Sequence, residues 1–93
     1  MQQANLSGAN LSRANLENAN LFGANLSNAN LSNTNLSGTF LNKADLRNVD
    51  LSGANLQDTK LTGVKLKGLR IEGSKIFDEK LRLAWEIVNQ GVR

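Results

Sequence analysis

The side chains able to carry proton, metal or phosphate chemistry in this 93-residue chain are few and scattered. Histidine and cysteine are absent, which removes the commonest general base, the commonest metal ligand, any thiol nucleophile and any disulfide. The carboxylates before the C-terminal segment are Glu17, Asp45, Asp50, Asp58 and Glu72, and none is within four residues of another. General acid/base work needs two such groups converging in a concavity, which this spacing does not suggest. Gly8, Gly23, Gly38, Gly53 and Gly63 are spread along the chain, where a phosphate-binding loop would gather its glycines. No catalytic, cofactor-binding or metal-ligating residue is assigned, and the expectation is a non-enzymatic protein without cofactors.

Binding chemistry remains. Phe22 and Phe40 stand among Asn and Ser residues, and Lys60, Lys65, Arg70 and Lys75 recur at a fixed interval. What these residues can do depends on the element that carries them, and that element is set by a period of five. From Ala4 to Asp78 the chain repeats Ala, Asn or Asp, Leu, a small polar residue, then Gly or Asn. On an α-helix, leucines five apart would scatter around the cylinder. In extended chain Ala24 and Leu26 share one face and Asn25 takes the other. Ala29 follows Leu26 by three, so the alternation slips once per pentad, and each slip is a corner. Short sides joined by corners make a β-solenoid with Leu6, Leu11, Leu16 and their successors to Ile71 and Ile76 in the lumen.

The run Ala-Asn-Leu-Ser-Gly, Ala-Asn-Leu-Ser-Arg, Ala-Asn-Leu-Glu-Asn resembles the pentapeptide-repeat proteins, whose motif is A(D/N)LXX, over about fifteen pentads. The resemblance implies an all-β fold, a right-handed quadrilateral parallel β-helix with four pentads per coil. It also implies two classes of function. One is a protein-interaction or scaffold module that binds through solenoid faces or ends. The alternative is a DNA-mimic gyrase-binding protein, and members of that type are strongly acidic where this chain carries a net charge of +3.

Four pentads per coil would stack residues twenty apart. Asp45 is then expected against Lys65 and Asp50 against Arg70, and the four cations from Lys60 to Lys75 form a ring around the last coil, not a stripe along a phosphate backbone. Nucleic acid is not the expected partner. Phe22, Phe40 and Lys60 share one face and form the candidate protein contact, with Lys60 within cation–π reach of Phe40. The Asn run from Asn5 to Asn35 is expected to hydrogen-bond along the axis and to the corners. A Thr in a small inward site, as at Thr34, Thr39 and Thr59, needs its hydroxyl satisfied by backbone.

After Phe77 the period becomes helical. Asp78 is a suitable N-cap and Gly91 a stop, while Leu81, Ala84, Trp85 and Val88 form an apolar stripe. The domain reading is therefore a β-helix over 1–78 and a capping helix and tail over 78–93, resembling the C-terminal helix of cyanobacterial family members. The N-terminal coil has only Met1-Gln2-Gln3 before it, so Leu6, Leu11, Leu16 and Leu21 are the candidate self-association residues, for a homodimer or another stacked coil. The chain could equally be the downstream part of a longer solenoid. No apolar run reaches the roughly 18 residues of a membrane span, and no signal peptide precedes the first repeat, so a cytoplasmic location is expected.

Overall fold

The computed structural model describes residues 4–75 and 79–89. Parallel bridges join residues twenty apart throughout: Asn5 to Asn25, Asn25 to Asp45 and Asp45 to Lys65 on one side, with equivalent series on the other three. The spacing fixes four pentads per coil. It also places Leu6, Leu26, Leu46 and Leu66 in one column, and the four walls are named below after Leu6, Leu11, Leu16 and Leu21.

Each straight side is so short that it contributes a single bridge residue, and the reason is visible in the hydrogen bonds. Leu6 N–H donates to Asn25 O at 2.7 Å and Gly8 N–H to Ser27 O at 2.9 Å, while Asn25 N–H donates back to Ala4 O at 2.8 Å. Ala9 N–H crosses the corner to Leu6 O at 3.1 Å. The remaining N–H of the pentad, that of Ser7, has no backbone acceptor and takes Asn5 Oδ1 at 3.2 Å. A pentad therefore satisfies all its donors only when its second residue carries an acceptor, which is why Asn or Asp recurs there. The axial asparagine ladder is corrected accordingly: the bonds these amides make are local ones, to the residue two ahead, as at Asn10, Asn15 and Asn25.

Corners have an equally strict demand. The fifth residue of each pentad is left-handed, with φ of 71° at Gly8, 60° at Asn18 and 59° at Asp58. Glycine adopts this region freely and Asn or Asp at moderate cost, whereas other side chains pay more. Only Arg13 (φ 64°) and Lys43 (φ 61°) depart from those types among the described corners.

Leu21, Leu26, Leu31, Leu36, Leu41 and Leu46 are fully sealed in the lumen beside Ala24, Ala44, Val49 and Ala54. Burying a leucine side chain contributes about 1.5–3 kcal/mol, so the column is the main source of stability. The inward threonines are satisfied as expected, Thr34 Oγ1 donating to Leu31 O, Thr39 to Leu16 O and Thr59 to Leu36 O at 2.6–2.8 Å.

The helix α1 spans Glu79–Asn89. Trp85 Nε1 donates to Leu69 O at 2.6 Å, and Asn89 Oδ1 accepts Gly68 N–H at 2.6 Å while its Nδ2 donates to Leu66 O at 3.2 Å. Trp85 and Asn89, one turn apart, thus set the rotation of the helix against the last coil. The expected stripe needs correction, because Val88 is 47% exposed and falls outside this contact face. The side chains of Leu81 and Ala84, the proposed cap at Asp78, the stop at Gly91, and Ile76 and Phe77 lie outside the described residues. Among the described residues no helix is long and apolar enough to cross a membrane.

Candidate interaction surface

The lumen is filled, so the chemistry available to a partner is on the walls. The Leu21 wall is built by pentads 19–23, 39–43 and 59–63, and it brings Phe22 and Phe40 to the same side of the solenoid. Phe40 occupies the second position of its pentad, bridged between Asn20 and Lys60, and is 45% exposed. Phe22 is half-buried, and its N–H is tied to Asn20 Oδ1 at 3.2 Å.

Lys60 is where the sequence reading puts it, directly beside Phe40, but its ammonium is not over that ring. Lys60 Nζ donates to Asp58 O at 3.0 Å. The cation–π contact on this wall is made by Lys43, whose Nζ lies 5.9 Å from the centre of the Phe22 ring. The correction has a geometric cause. A corner side chain projects diagonally and can lean across the coil below, whereas a second-position side chain stacks squarely on its neighbour.

The charged residues of the other walls pair differently from the sequence expectation. Asp45 is bridged to Lys65 and Asp50 to Arg70, yet the ion pair formed is between Asp45 and Arg47 of the same pentad. Arg47 grips it with two bonds, Nε to Oδ1 at 2.9 Å and Nη2 to Oδ2 at 2.7 Å. The Arg47 guanidinium holds the Asp45 carboxyl below the usual carboxylate range, with Lys65 adding a smaller through-space pull. Asp50 is lowered chiefly by the Ser52 hydroxyl, which donates to its Oδ1 at 2.6 Å, then by the Ser52 N–H. These carboxylates are engaged in corner bonds. Among the described residues no group of three or more His, Cys, Asp or Glu is gathered to hold a metal ion.

At the leading coil, Leu6, Leu11 and Leu16 are half-buried, but Leu21 is fully buried and leaves the candidate self-association set. The coil climbs about a quarter of its roughly 4.8 Å rise at each pentad, so the fourth leucine is already well inside the stack. Two residues that matter were missed in the sequence. Lys43 was signalled by being neither Gly, Asn nor Asp at a corner, and Asn89 carried no signal, because a polar residue beside an apolar stripe reads as solvent-facing.

The chain matches the family model for pentapeptide repeats in eight copies, over residues 1–38 and 29–68. Among solved structures it is similar to the pentapeptide repeat protein Rfr23 from the cyanobacterium Cyanothece 51142, with 42% identity and a TM-score of 0.66 over 75% of this chain and 55% of that one. It is also similar to alr5209 from Nostoc PCC 7120, with 32% identity and a TM-score of 0.53 over 89% and 78% of the two chains. A likeness to QnrB1, a plasmid-mediated fluoroquinolone resistance protein, is one of fold alone at 22% identity, a TM-score of 0.50 and coverage of 77% and 45%. No curated protein matches the chain in sequence. The chain thus spans about half the length of Rfr23.

Proposed function

The chain belongs to the pentapeptide-repeat family, whose fold is the right-handed quadrilateral β-helix, and from that premise we propose that it is a non-enzymatic protein-interaction module. The observation that carries the reading is the pairing of a filled lumen with one aromatic wall. Enzymes bind substrates in concave sites where polar groups converge, and a solid prism offers flat surfaces instead. Phe22 and Phe40 give the Leu21 wall the apolar contact area that specific recognition uses, and Lys60 lies beside Phe40. A DNA-mimic function at gyrase is the weaker reading, since the surface lacks the acidic character such mimicry requires.

We assign α1 as a cap. What supports this is the identity of the groups it engages. In the solenoid the carbonyl of each pentad's first residue accepts an N–H from the next coil, and the N–H of its fifth residue donates to a carbonyl there. At the last coil Trp85 Nε1 serves Leu69 O and Asn89 Oδ1 serves Gly68 N–H, so two side chains stand in for the backbone of a further coil. The leading edge, with half-buried Leu6, Leu11 and Leu16, is a second surface, suited to another coil from a second copy or a continuing solenoid.

The test is capture by immobilised protein from an extract of the source cells, comparing wild type with a Phe22→Ser, Phe40→Asn variant and a Leu6→Lys, Leu11→Lys variant. The wall reading expects a retained protein that the first variant loses and the second keeps. Equal retention by wild type and the first variant defeats it. A gyrase supercoiling assay is expected to show no inhibition, and inhibition would favour mimicry.

A further inference from the structure

We propose that the Leu21 wall docks an acidic peptide segment bearing aromatic or aliphatic side chains, with Lys43 as its principal charge contact. The proposal rests on the reading of that wall as an interaction surface and specifies the partner's chemistry.

Three observations converge on pentad 39–43. The first is charge. The wall's own pentads hold two exposed cations, Lys43 and Lys60, and no carboxylate, whereas the Leu6 wall has Asp45, the Leu11 wall Asp50 and Glu72, and the Leu16 wall Glu17 and Asp58. Two acids flank the wall: Asp58, at the corner preceding Thr59, meets Lys60 through its carbonyl, and Asp45, two residues after Lys43, is held by Arg47. The wall is thus a cationic and aromatic strip whose complement is anionic and apolar.

The second is backbone strain. Lys43 has φ 61° at a corner where the coil below has Gly23 and the coil above Gly63. The two glycines leave the lysine room: a Cβ added at Gly63 would press on Lys43 Cγ at 3.2 Å. A long cationic side chain is therefore held in an unfavourable conformation, in a cleared corner, with its ammonium over Phe22. Such strain is kept at working surfaces, and Lys43 shares it only with Arg13 among the described corners, whose Leu11 wall carries no aromatic residue.

The third is an unfilled acceptor position. In pentads with Asn or Asp at the second position its side-chain oxygen takes the fourth residue's N–H, as Asn20 does for Phe22 and Asn55 for Gln57, whereas Phe40 and Lys60, like Lys65, Arg70 and Lys75 further on, carry no such acceptor. Phe40 and Lys60 offer no such oxygen to Asn42 and Thr62, which are instead joined to each other by Asn42 Nδ2 donating to Thr62 Oγ1 at 2.6 Å. A partner carboxylate at this place would supply the acceptor that these two pentads lack, at the corner that carries Lys43. The same pentad has thus given up a corner residue and a turn acceptor, at adjacent points of one exposed strip.

The experiment uses the full chain and three fluorescein-labelled twelve-residue peptides of alternating Glu-Phe, Gln-Phe and Glu-Ser. Binding is followed by anisotropy and mapped by amide chemical shifts. The Glu-Phe peptide is expected to bind most tightly, with shifts concentrated at residues 20–23, 40–43 and 60–63. Lys43→Gly should weaken it roughly two- to fivefold, the scale of an exposed charge pair. Phe40→Asn should weaken it further, and Lys67→Ser on the Leu6 wall should leave it unchanged. Both wall substitutions relieve a local cost, so each should hold or raise the Tm and loss of binding cannot be ascribed to unfolding. Equal binding of the Gln-Phe peptide on this wall overturns the acidic partner while leaving the interaction wall in place. Shifts confined to other walls, or no binding by any peptide, overturn the proposal, and the former also removes the wall reading.

Discussion

Asn89 Oδ1 accepts the Gly68 N–H at 2.6 Å, across the gap between a helix and the last coil of a solenoid. The same amide donates to Leu66 O and Trp85 O, so one buried side chain satisfies both sides of the junction. Leaving a buried donor unpaired costs about 1–3 kcal/mol. Asn89→Ala should lower stability by about that amount in denaturant titrations, and Asn89→Asp should recover part of the loss because it restores the Gly68 acceptor.

The leucine column has unequal members. Leu46 is sealed between coils, and Leu46→Ala should destabilise by about 2–5 kcal/mol. Leu6→Ala removes a side chain that is only half-buried and should cost clearly less. Equal costs would mean that the leading coil is covered more fully than its exposure indicates.

Corner glycines can be tested against the side chain one coil away. A Cβ at Gly38 would collide with the Asn18 side-chain amide. Gly38→Ala should therefore cost the left-handed penalty of about 1–2 kcal/mol plus a steric increment. Asn18→Gly keeps the corner conformation and removes the obstacle, so a double-mutant cycle should return the steric part as coupling.

Phe40→Asn gives its pentad the missing acceptor for the Asn42 N–H and should raise stability by about 0.5–1.5 kcal/mol. A thermal melt would show this directly, and a lowered Tm would indicate that the Phe40 ring contributes more packing than the turn bond it displaced.

Acid should weaken the solenoid in a defined window. Asp45 and Asp50 are held below their ordinary value, so between the folded and unfolded pKa the unfolded chain binds more protons and stability rises with pH. The contribution is complete above about pH 5 and is lost as pH falls through about 3.9 and then through the lower folded values. An Asp45→Asn, Asp50→Asn variant retains side-chain oxygens for the Arg47 and Ser52 N–H groups, and its stability should vary less with pH between about 5 and 2.

The solenoid was readable because two residues in five are inward and nearly invariant in type, Ala or a small residue and then Leu. The five-residue side came from the spacing, and the resemblance to the pentapeptide-repeat family implied four such sides per coil, from which the twenty-residue stacking, the column of Leu46 and the neighbours of Phe40 followed. Partner choice within a column was less accessible. Asp45 has Lys65 stacked on it and Arg47 two residues ahead, and only the outward reach of the guanidinium and the Arg47 N–H decides between them. Lys43 carries no wall-level charge signal, since what sets it apart is a corner dihedral. Asn89 illustrates the limit of hydropathy patterns, since its burial comes from what its amide replaces.

Each pentad closes its own corner, and those with Asn or Asp at the second position also satisfy their own fourth N–H, which makes the chain tolerant and intolerant of length changes in different respects. A five-residue insertion after Gly23 would be locally sound, with every turn and bridge type preserved. It would nevertheless advance all later residues by a quarter turn, carrying Phe40 and Lys43 off the column that holds Phe22. An insertion of twenty residues at the same place would return Phe40 and Lys43 to that side, one coil further from Phe22. Phase, not merely sequence, is thus what this surface inherits from its fold, and a frame-preserving change in repeat number would separate Phe22 from Phe40 and Lys43 while leaving every corner and bridge type intact.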